Sequence, residues 1–258
     1  DTMYTDLDFE LPESASGGHD LPEYASTKPY TFNPKILSQY FGMVKCIDDN
    51  VGRIIETLRE EGILENTIIV FTSDHGDLLG EHGRDNKGVP MEGSARIPFI
   101  MYAPGIVAPG QIINEPFGTV DFKPTLLSLM GIDDPIANQG RDYSSFFTSG
   151  NVPADWEHVT FVRNGGNSVD EAGNHQPDNG WIGAFGTRYK LVFGASHSAV
   201  LFDLFEDPHE LANLIGSPAH RSIVRELAQS LKNYAATNQE PHLDSLQVQA
   251  DFAWALSD

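Results

Sequence analysis

Asp74 and His75 stand side by side where an apolar run stops, and Lys87 follows 13 residues after Asp74. The residue types suit a cation and an anion held together. Asp74 offers a hard carboxylate oxygen, and His75 a neutral imidazole that can ligate a metal or hydrogen-bond an anion. Lys87 lies in a loop between Gly83 and Gly88, from which a flexible ammonium can fold back as a point charge for an oxyanion. A plainer reading stays open at this point, in which Asp74 caps a turn and His75 packs.

The elements that must position these side chains can be read around them. Thr67 to Phe71 reads as a buried strand, the turn carries Asp74-His75-Gly76, and a second apolar strand runs from Ile97 to Tyr102 before Ala103-Pro104-Gly105. A continuous apolar run ending at Ser-Asp-His-Gly has the texture of a central parallel strand, buried on both faces. In open α/β sheets the crevice beyond the carboxyl ends of such strands is where ligands bind.

The stretch DHG-DLLGEHG, then Lys87, then GSARIPFIMYAPG resembles the second signature region of the type I sulfatases, arylsulfatase-like members of the alkaline phosphatase superfamily. The resemblance implies that Asp74 and His75 ligate a divalent cation, usually calcium, and that Lys87 contacts the sulfate. His82, beside Glu81 in Gly-Glu-His-Gly, falls where the family often has a polar residue near substrate; a turn-stabilising role is the alternative. Arg96, before Ile97-Pro98, is assigned to structure.

Two features of the family's chemistry have no counterpart here. Its nucleophile is a formylglycine made from Cys or Ser in a Cys/Ser-x-Pro-Ser/Ala-Arg motif, and two further aspartates come from the family's first strand. Cys46 is followed by Ile-Asp-Asp-Asn, and Ser217-Pro-Ala-His-Arg221 has suitable residues in the wrong register. One carboxylate with one imidazole is also a thin calcium site, since six to eight ligands are usual. The expectation is therefore the C-terminal portion of a sulfatase, a fragment inactive by itself, with the formylglycine in the missing N-terminal half. A first residue of Asp rather than Met agrees with that expectation.

The remaining chain supplies a scaffold. Asn33-Pro34 opens a long helix with Asn as N-cap and Pro at the first helical position, and apolar residues from Ile36 to Leu58 share one face until Gly62. Asp48 and Asp49 lie on it, about 100° apart around the axis, and do not converge on one ion. Thr119 to Gly131 reads as a helix resembling the family's VDIAPTLLDLAG segment, and Gln139-Gly-Arg-Asp142 resembles its GRSL turn. From Glu157 short strands take over: Val159 to Val162, Trp181 to Phe185, Tyr189 to Phe193 and Val200 to Asp203. Without intervening helices they predict an antiparallel sheet, and Pro218 to Tyr234 its helix. The expected fold is thus α/β: a mixed, mostly parallel central sheet flanked by helices over residues 1–155, and a small antiparallel sheet with a packed helix over 156–258. Phe252 and Trp254 in the tail have no assigned place.

Composition sets outer limits. In 258 residues with 40% hydrophobic content a sizeable core can form, and wholesale disorder is excluded. A formal charge of −21 argues against nucleic-acid binding, which wants a basic face, and requires local positive charge to draw in a sulfated substrate. The single cysteine makes no internal disulfide. No apolar run is long enough for a membrane span. The resemblance favours a periplasmic or secreted location, with the cytoplasm left open. The expected partner is a sulfated glycan or small molecule, such as an aryl, choline or steroid sulfate; a phosphate or phosphonate hydrolase of the same superfamily, or a non-catalytic binding relative, is the alternative. Asp6, Asp8, Glu10 and His19 in the first segment, and His175 in the loop from Asn164 to Asn179, are further pocket candidates, with solvated loop residues as the simpler view.

Overall fold

The computed structural model describes residues 3–16, 21–22, 33–136, 138–165, 168–169, 175–176 and 180–257. Helix α1 spans Pro34–Glu60, and the Asn33 side chain accepts the Lys35 backbone N–H at 3.1 Å, the N-cap bond that satisfies an orphan donor. Its apolar residues lie on open surface: Ile36, Phe41, Val44, Ile47 and Ile54 are all exposed, and the rings of Tyr4 and Phe9 pack only around Phe41. Asp49 pairs with Lys45 one turn away.

Strand β1 (Ile69–Thr72) pairs with β2 (Phe99–Tyr102), and the short helix α2 (Glu92–Ala95) lies between them in sequence. Two expectations fail here. The pairing is antiparallel, with Ile69 opposite Tyr102 and Thr72 opposite Phe99, so the sheet is not mostly parallel. Nor is the first strand buried: Phe71 is 38% exposed and Ile100 on its partner 64%. The physical reason is the same for both. An apolar run matches a doubly covered parallel strand only if other strands and helices cover it, and among the described residues β1 has the single neighbour β2.

Helix α3 (Thr119–Leu129) begins at Gly118, whose backbone N–H donates to the Asp121 carboxylate at 2.9 Å. It packs on α4 (Ser144–Thr148) through an aromatic cluster of Tyr143, Phe146, Phe147 and Phe99. Arg141 ties this cluster to the next strand: its guanidinium donates to the carbonyls of Glu157 and Val159 and lies 4.5 Å from the Trp156 ring.

The antiparallel sheet expected in the second part has four strands, β3 (Val159–Asn164), then β6 (Trp181–Gly186), β7 (Tyr189–Gly194) and β8 (Val200–Asp203), adjacent in that order. The backbone of β4 (Ser168–Val169) and β5 (His175–Gln176) forms a separate two-stranded pair. Side chains of the main sheet alternate between two cores. Ile182, Ala184, Leu191, Phe193 and Leu201 face α5 (Arg221–Thr237) and α6 (Leu246–Ala255), where Phe252 of the tail meets Phe193 edge-on at 4.8 Å. Trp181, Phe185, Val192, Val200 and Phe202 face the other way and bury Leu78, Val89 and Met91 of the loop after β1. Among the described residues no helix is long and apolar enough to cross a membrane.

Candidate active-site cleft

Asp74 and His75 leave β1 in a turn tied by its own polar groups. Ser73 Oγ donates to the His75 carbonyl at 2.7 Å, and the His75 backbone N–H donates to Asp74 Oδ1 at 3.0 Å. The Asp74 carboxyl, 85% exposed, sits below the usual carboxylate range, held there first by its own backbone N–H and then by the neighbouring His75. His75 Nδ1 lies 2.7 Å from the Gly76 carbonyl, which can only accept, so Nδ1 carries the proton. A metal would be met by the other ring nitrogen, Nε2, which lies 3.5 Å from Asp74 Oδ2. A ligating histidine characteristically has its other nitrogen fixed in this way.

Gly76 allows the turn to close. Its N–H donates to the Ser94 carbonyl at 2.8 Å, and a Cβ at this position would overlap the Gly93 carbonyl oxygen. Only a residue without a side chain lets the two backbone segments meet. The loop is then folded back by Asp77, whose Oδ1 accepts the N–H groups of Leu79 at 3.1 Å and Asn86 at 2.9 Å. Lys87 emerges next to Asn86, exposed, with no ion pair among the described residues.

Asp74, His75 and Lys87 line one open cleft of about 2010 Å³ between the β1–β2 pair and the four-stranded sheet. Three of the four site residues picked out in the sequence thus line one cleft, and of these Asp74 and His75 stand 3.5 Å apart. Arg96 and Arg163 also line it, so three cationic side chains border this hollow in a strongly acidic chain. Arg96, assigned to structure, stands 3.8 Å from the Glu92 carboxylate with its guanidinium mostly exposed.

His82 is elsewhere. It is 1% exposed, sits at φ 53° in a short 3-10 turn, and does not line the cleft. Glu81 beside it is half-buried, and burial pushes its carboxyl above the usual range. Asp6, Asp8 and Glu10 are exposed and away from the cleft, as is Cys46 on α1. His19 and the side chain of His175 lie outside the described residues.

Whether a cation fits can be tested on the donor pair. Two donors bound at right angles to one calcium ion, each at about 2.4 Å, would lie about 3.4 Å apart. The observed 3.5 Å between Asp74 Oδ2 and His75 Nε2 matches. Among the described residues no group of three or more His, Cys, Asp or Glu side chains comes together, so the pair fits as part of a site and not as a whole one.

Sequence reasoning missed the buried residue that bolts this loop down. Lys190, 0% exposed on β7, pairs with Glu92 at 2.6 Å and donates to Glu210 at 2.7 Å and the Pro90 carbonyl at 2.9 Å. Strand parity was the available signal, since Lys190 shares its face with Val192, but that face reads as solvent unless the loop is known to cover it.

Comparison with known proteins bears on this arrangement. The family model described as Sulfatase matches residues 13–132, and that described as N-sulphoglucosamine sulphohydrolase, C-terminal, matches residues 80–237, more than half of the chain. An arylsulfatase of Clostridium perfringens is 33% identical over 208 residues, covering 80% of this chain and 41% of that protein. The structure of BT4656 in complex with its substrate D-glucosamine-2-N,6-O-disulfate superposes with a TM-score of 0.67 at 27% identity, over 80% of this chain and 42% of that one. A phosphonate monoester hydrolase of Agrobacterium radiobacter gives 0.70 at 26% identity, over 83% and 43%. The chain spans about two fifths of the length of these relatives.

Proposed function

We propose, from the premise that this chain belongs to the sulfatase family, that it furnishes the carboxylate, imidazole and ammonium of a sulfuric ester hydrolase's anion pocket. The observation that carries the reading is the donor pair: Asp74 Oδ2 and His75 Nε2 are 3.5 Å apart, the imidazole tautomer is fixed by Gly76, and both face the cleft that Lys87 borders. Asp74 and His75 would hold a divalent cation, calcium by family resemblance. When bound, such an ion supplies Lewis-acid stabilisation of charge on sulfate oxygens.

The work of this chain's own residues follows from their chemistry. Asp74, with its carboxyl held below the usual range, and His75, with its proton on Nδ1, would present two adjacent donor atoms, 3.5 Å apart, to one cation. Lys87 offers a flexible ammonium to the non-bridging oxygens of a sulfate ester, as a point charge that stabilises the charge on them. The Cys/Ser-x-Pro-Ser/Ala-Arg motif does not occur in the 258 residues, so the nucleophile belongs to the family's N-terminal portion. The substrate class is a sulfate monoester of a sugar or aryl alcohol, a reading supported by the names of the relatives. Hydrolysis of a phosphonate monoester is the second reading, favoured by the similar superposition on the phosphonate hydrolase.

Calorimetric titration tests the pocket. The purified chain should bind calcium weakly, and Asp74→Asn should abolish the heat; an unchanged isotherm in that variant would remove the metal role. Inorganic sulfate should shift the signals of Lys87, and Lys87→Ala should lose sulfate binding. With a chromogenic aryl sulfate the chain by itself should release no product, and clear turnover would contradict the assignment of the nucleophile to another segment. In a protein that also carries the N-terminal portion, aryl sulfate turnover exceeding aryl phosphonate turnover decides between the two readings.

A further inference from the structure

Lys87 has an exposed side chain on a backbone that is fixed on both sides. On the N-terminal side, the Asn86 N–H donates to Asp77 at 2.9 Å and its carbonyl accepts from the Leu78 N–H at 2.9 Å. On the C-terminal side, the Gly88 N–H donates to Ser94 Oγ at 3.1 Å. The Gly88 carbonyl then receives two side-chain donors at once, Asn164 Nδ2 at 2.7 Å and the Trp181 indole N–H at 2.9 Å. These two are direct cross-strand partners, the last residue of β3 and the first of β6. Gly88 is at φ +98°, a conformation that favours glycine, and a Cβ there would crowd Asn164 Nδ2 at 3.3 Å.

The clamp has its own backing. The Asn164 carbonyl lies 2.9 Å from His242 Nε2, and His242 Nδ1 lies 2.8 Å from Glu240, so both ring nitrogens face acceptors. Arg163 reaches the other oxygen of Glu240 at 3.3 Å. Burial lifts the Glu240 carboxyl, but the His242 hydrogen bond and the Arg163 charge outweigh it and leave the group below its usual range. Gly180, just before Trp181, leaves no room for a side chain beside His242: a Cβ would sit 2.5 Å from Nε2. Nothing in the packing of the four-stranded sheet requires two donors to meet on a loop carbonyl 76 residues from one and 93 from the other.

We propose that Asn164 and Trp181 are positioning residues for Lys87, holding the Gly88 carbonyl so that the ammonium projects into the cleft from a fixed backbone. The role rests on the reading of Lys87 as the anion contact. An ammonium on a mobile loop loses part of its attraction for an anion to the cost of ordering the loop, and a clamp supplied by the second half of the chain removes that cost. The same bond ties the anion pocket to the four-stranded sheet.

The test uses the whole chain, its lysines carrying isotope-labelled methyl groups, with inorganic sulfate as probe. Trp181→Phe keeps an aromatic ring beside Phe185 and removes the donor together with part of the indole's volume; Asn164→Ala removes the other donor. Each should speed amide exchange at Gly88 about tenfold, the value of one lost hydrogen bond, and leave Val192 in β7 unchanged. Sulfate affinity at Lys87 should fall with it. Asn164→Asp adds a readout that general damage would not give. Its carboxylate repels the Gly88 carbonyl near neutrality, and its protonated form donates again below about pH 4, so protection and sulfate affinity should return on acidification. Unchanged exchange at Gly88 in both single variants, or faster exchange with unaltered sulfate affinity, overturns the proposal. Lys87→Ala separates the two readings: if it leaves sulfate binding intact, the anion-contact reading falls, while exchange at Gly88 still decides the clamp.

Discussion

Replacing Lys190 by methionine should cost about 3–5 kcal/mol of folding stability, the range for breaking a buried ion pair by removal of one partner. The ammonium is wholly buried; it pairs with Glu92 at 2.6 Å and Glu210 at 2.7 Å and donates to the Pro90 carbonyl at 2.9 Å. Two of these are charge-assisted bonds worth about 1.5–3 kcal/mol each when broken singly. They share one donor and do not add, which keeps the total within the quoted range. Methionine matches the stem in volume, so the loss is one of charge and hydrogen bonding rather than of packing. Against a typical total of about 5–15 kcal/mol this is a large fraction.

Urea unfolding followed by the fluorescence of buried Trp181 measures the effect. With a slope of about 1–3 kcal/mol per molar, the midpoint should fall by about 1 M or more. The pH dependence gives a second check. Burial pushes the Glu210 carboxyl above its usual range and Lys190 pulls it back. A raised folded-state value means a contribution present below the unfolded value and lost as pH rises through the folded one. Without Lys190 the carboxyl rises further, so the deficit of Lys190→Met should be small in acid and grow toward neutrality. Adding Glu210→Gln to Lys190→Met should recover part of the loss, because the amide needs no counter-charge and its oxygen can still accept the Glu92 N–H. A single-variant loss under about 1 kcal/mol, or a double variant with strictly additive losses, would refute the claim that the pair is coupled.

Asp251 offers a stabilising change: burial lifts its carboxyl to about 6, and Oδ2 has no hydrogen-bond partner. Its contribution is full below about pH 4 and lost as pH rises through about 6, so Asp251→Asn should raise stability by about 1 kcal/mol at pH 8, after discounting for partial exposure, and change little near pH 4. Thermal melts at the two pH values decide it; an equal shift at both would rule out titration as the cause. Gly76→Ala should displace the turn, because its Cβ would overlap the Gly93 carbonyl oxygen; a loss of about 1–3 kcal/mol in urea and weaker calcium binding are expected, and a wild-type isotherm would contradict the proposed fit of the turn.

The placement of Asp74, His75 and Lys87 on one cleft could be read from an apolar run ending in Ser-Asp-His-Gly and a Gly-flanked lysine. Their chemical roles are what the titrations address. The antiparallel second sheet was also legible, since each strand is short and the turns between them are rich in Gly. Direction of pairing in the first sheet was not, because apolar texture reports expected burial and says nothing of which neighbour supplies it. His82 misleads for a local reason: a polar residue between glycines suggests an exposed turn, yet its positive φ turns the ring inward. Asn164 and Trp181 carry no signal at all in one dimension. They become neighbours only when β3 and β6 take the register that sets Asn164 opposite Trp181.

The distribution of apolar exposure explains why so much of the candidate site is governed from its C-terminal side. The four-stranded sheet is covered on both faces, by α5 and α6 on one and by Leu78, Val89 and Met91 on the other. None of its strands carries an exposed large apolar side chain, whereas α1, β1 and β2 carry Ile36, Phe41, Val44, Phe71 and Ile100 in the open. The signature loop lies at the border between these two conditions. Its backbone is fixed where packing within the chain is complete, by Lys190 at Pro90 and by Asn164 and Trp181 at Gly88. Asp74 and His75 face the side where apolar surface is open, and among the described residues no third His, Cys, Asp or Glu joins them. On the proposed reading, a surface that covers α1 and β1 would also be placed to bring further ligands to Asp74 and His75.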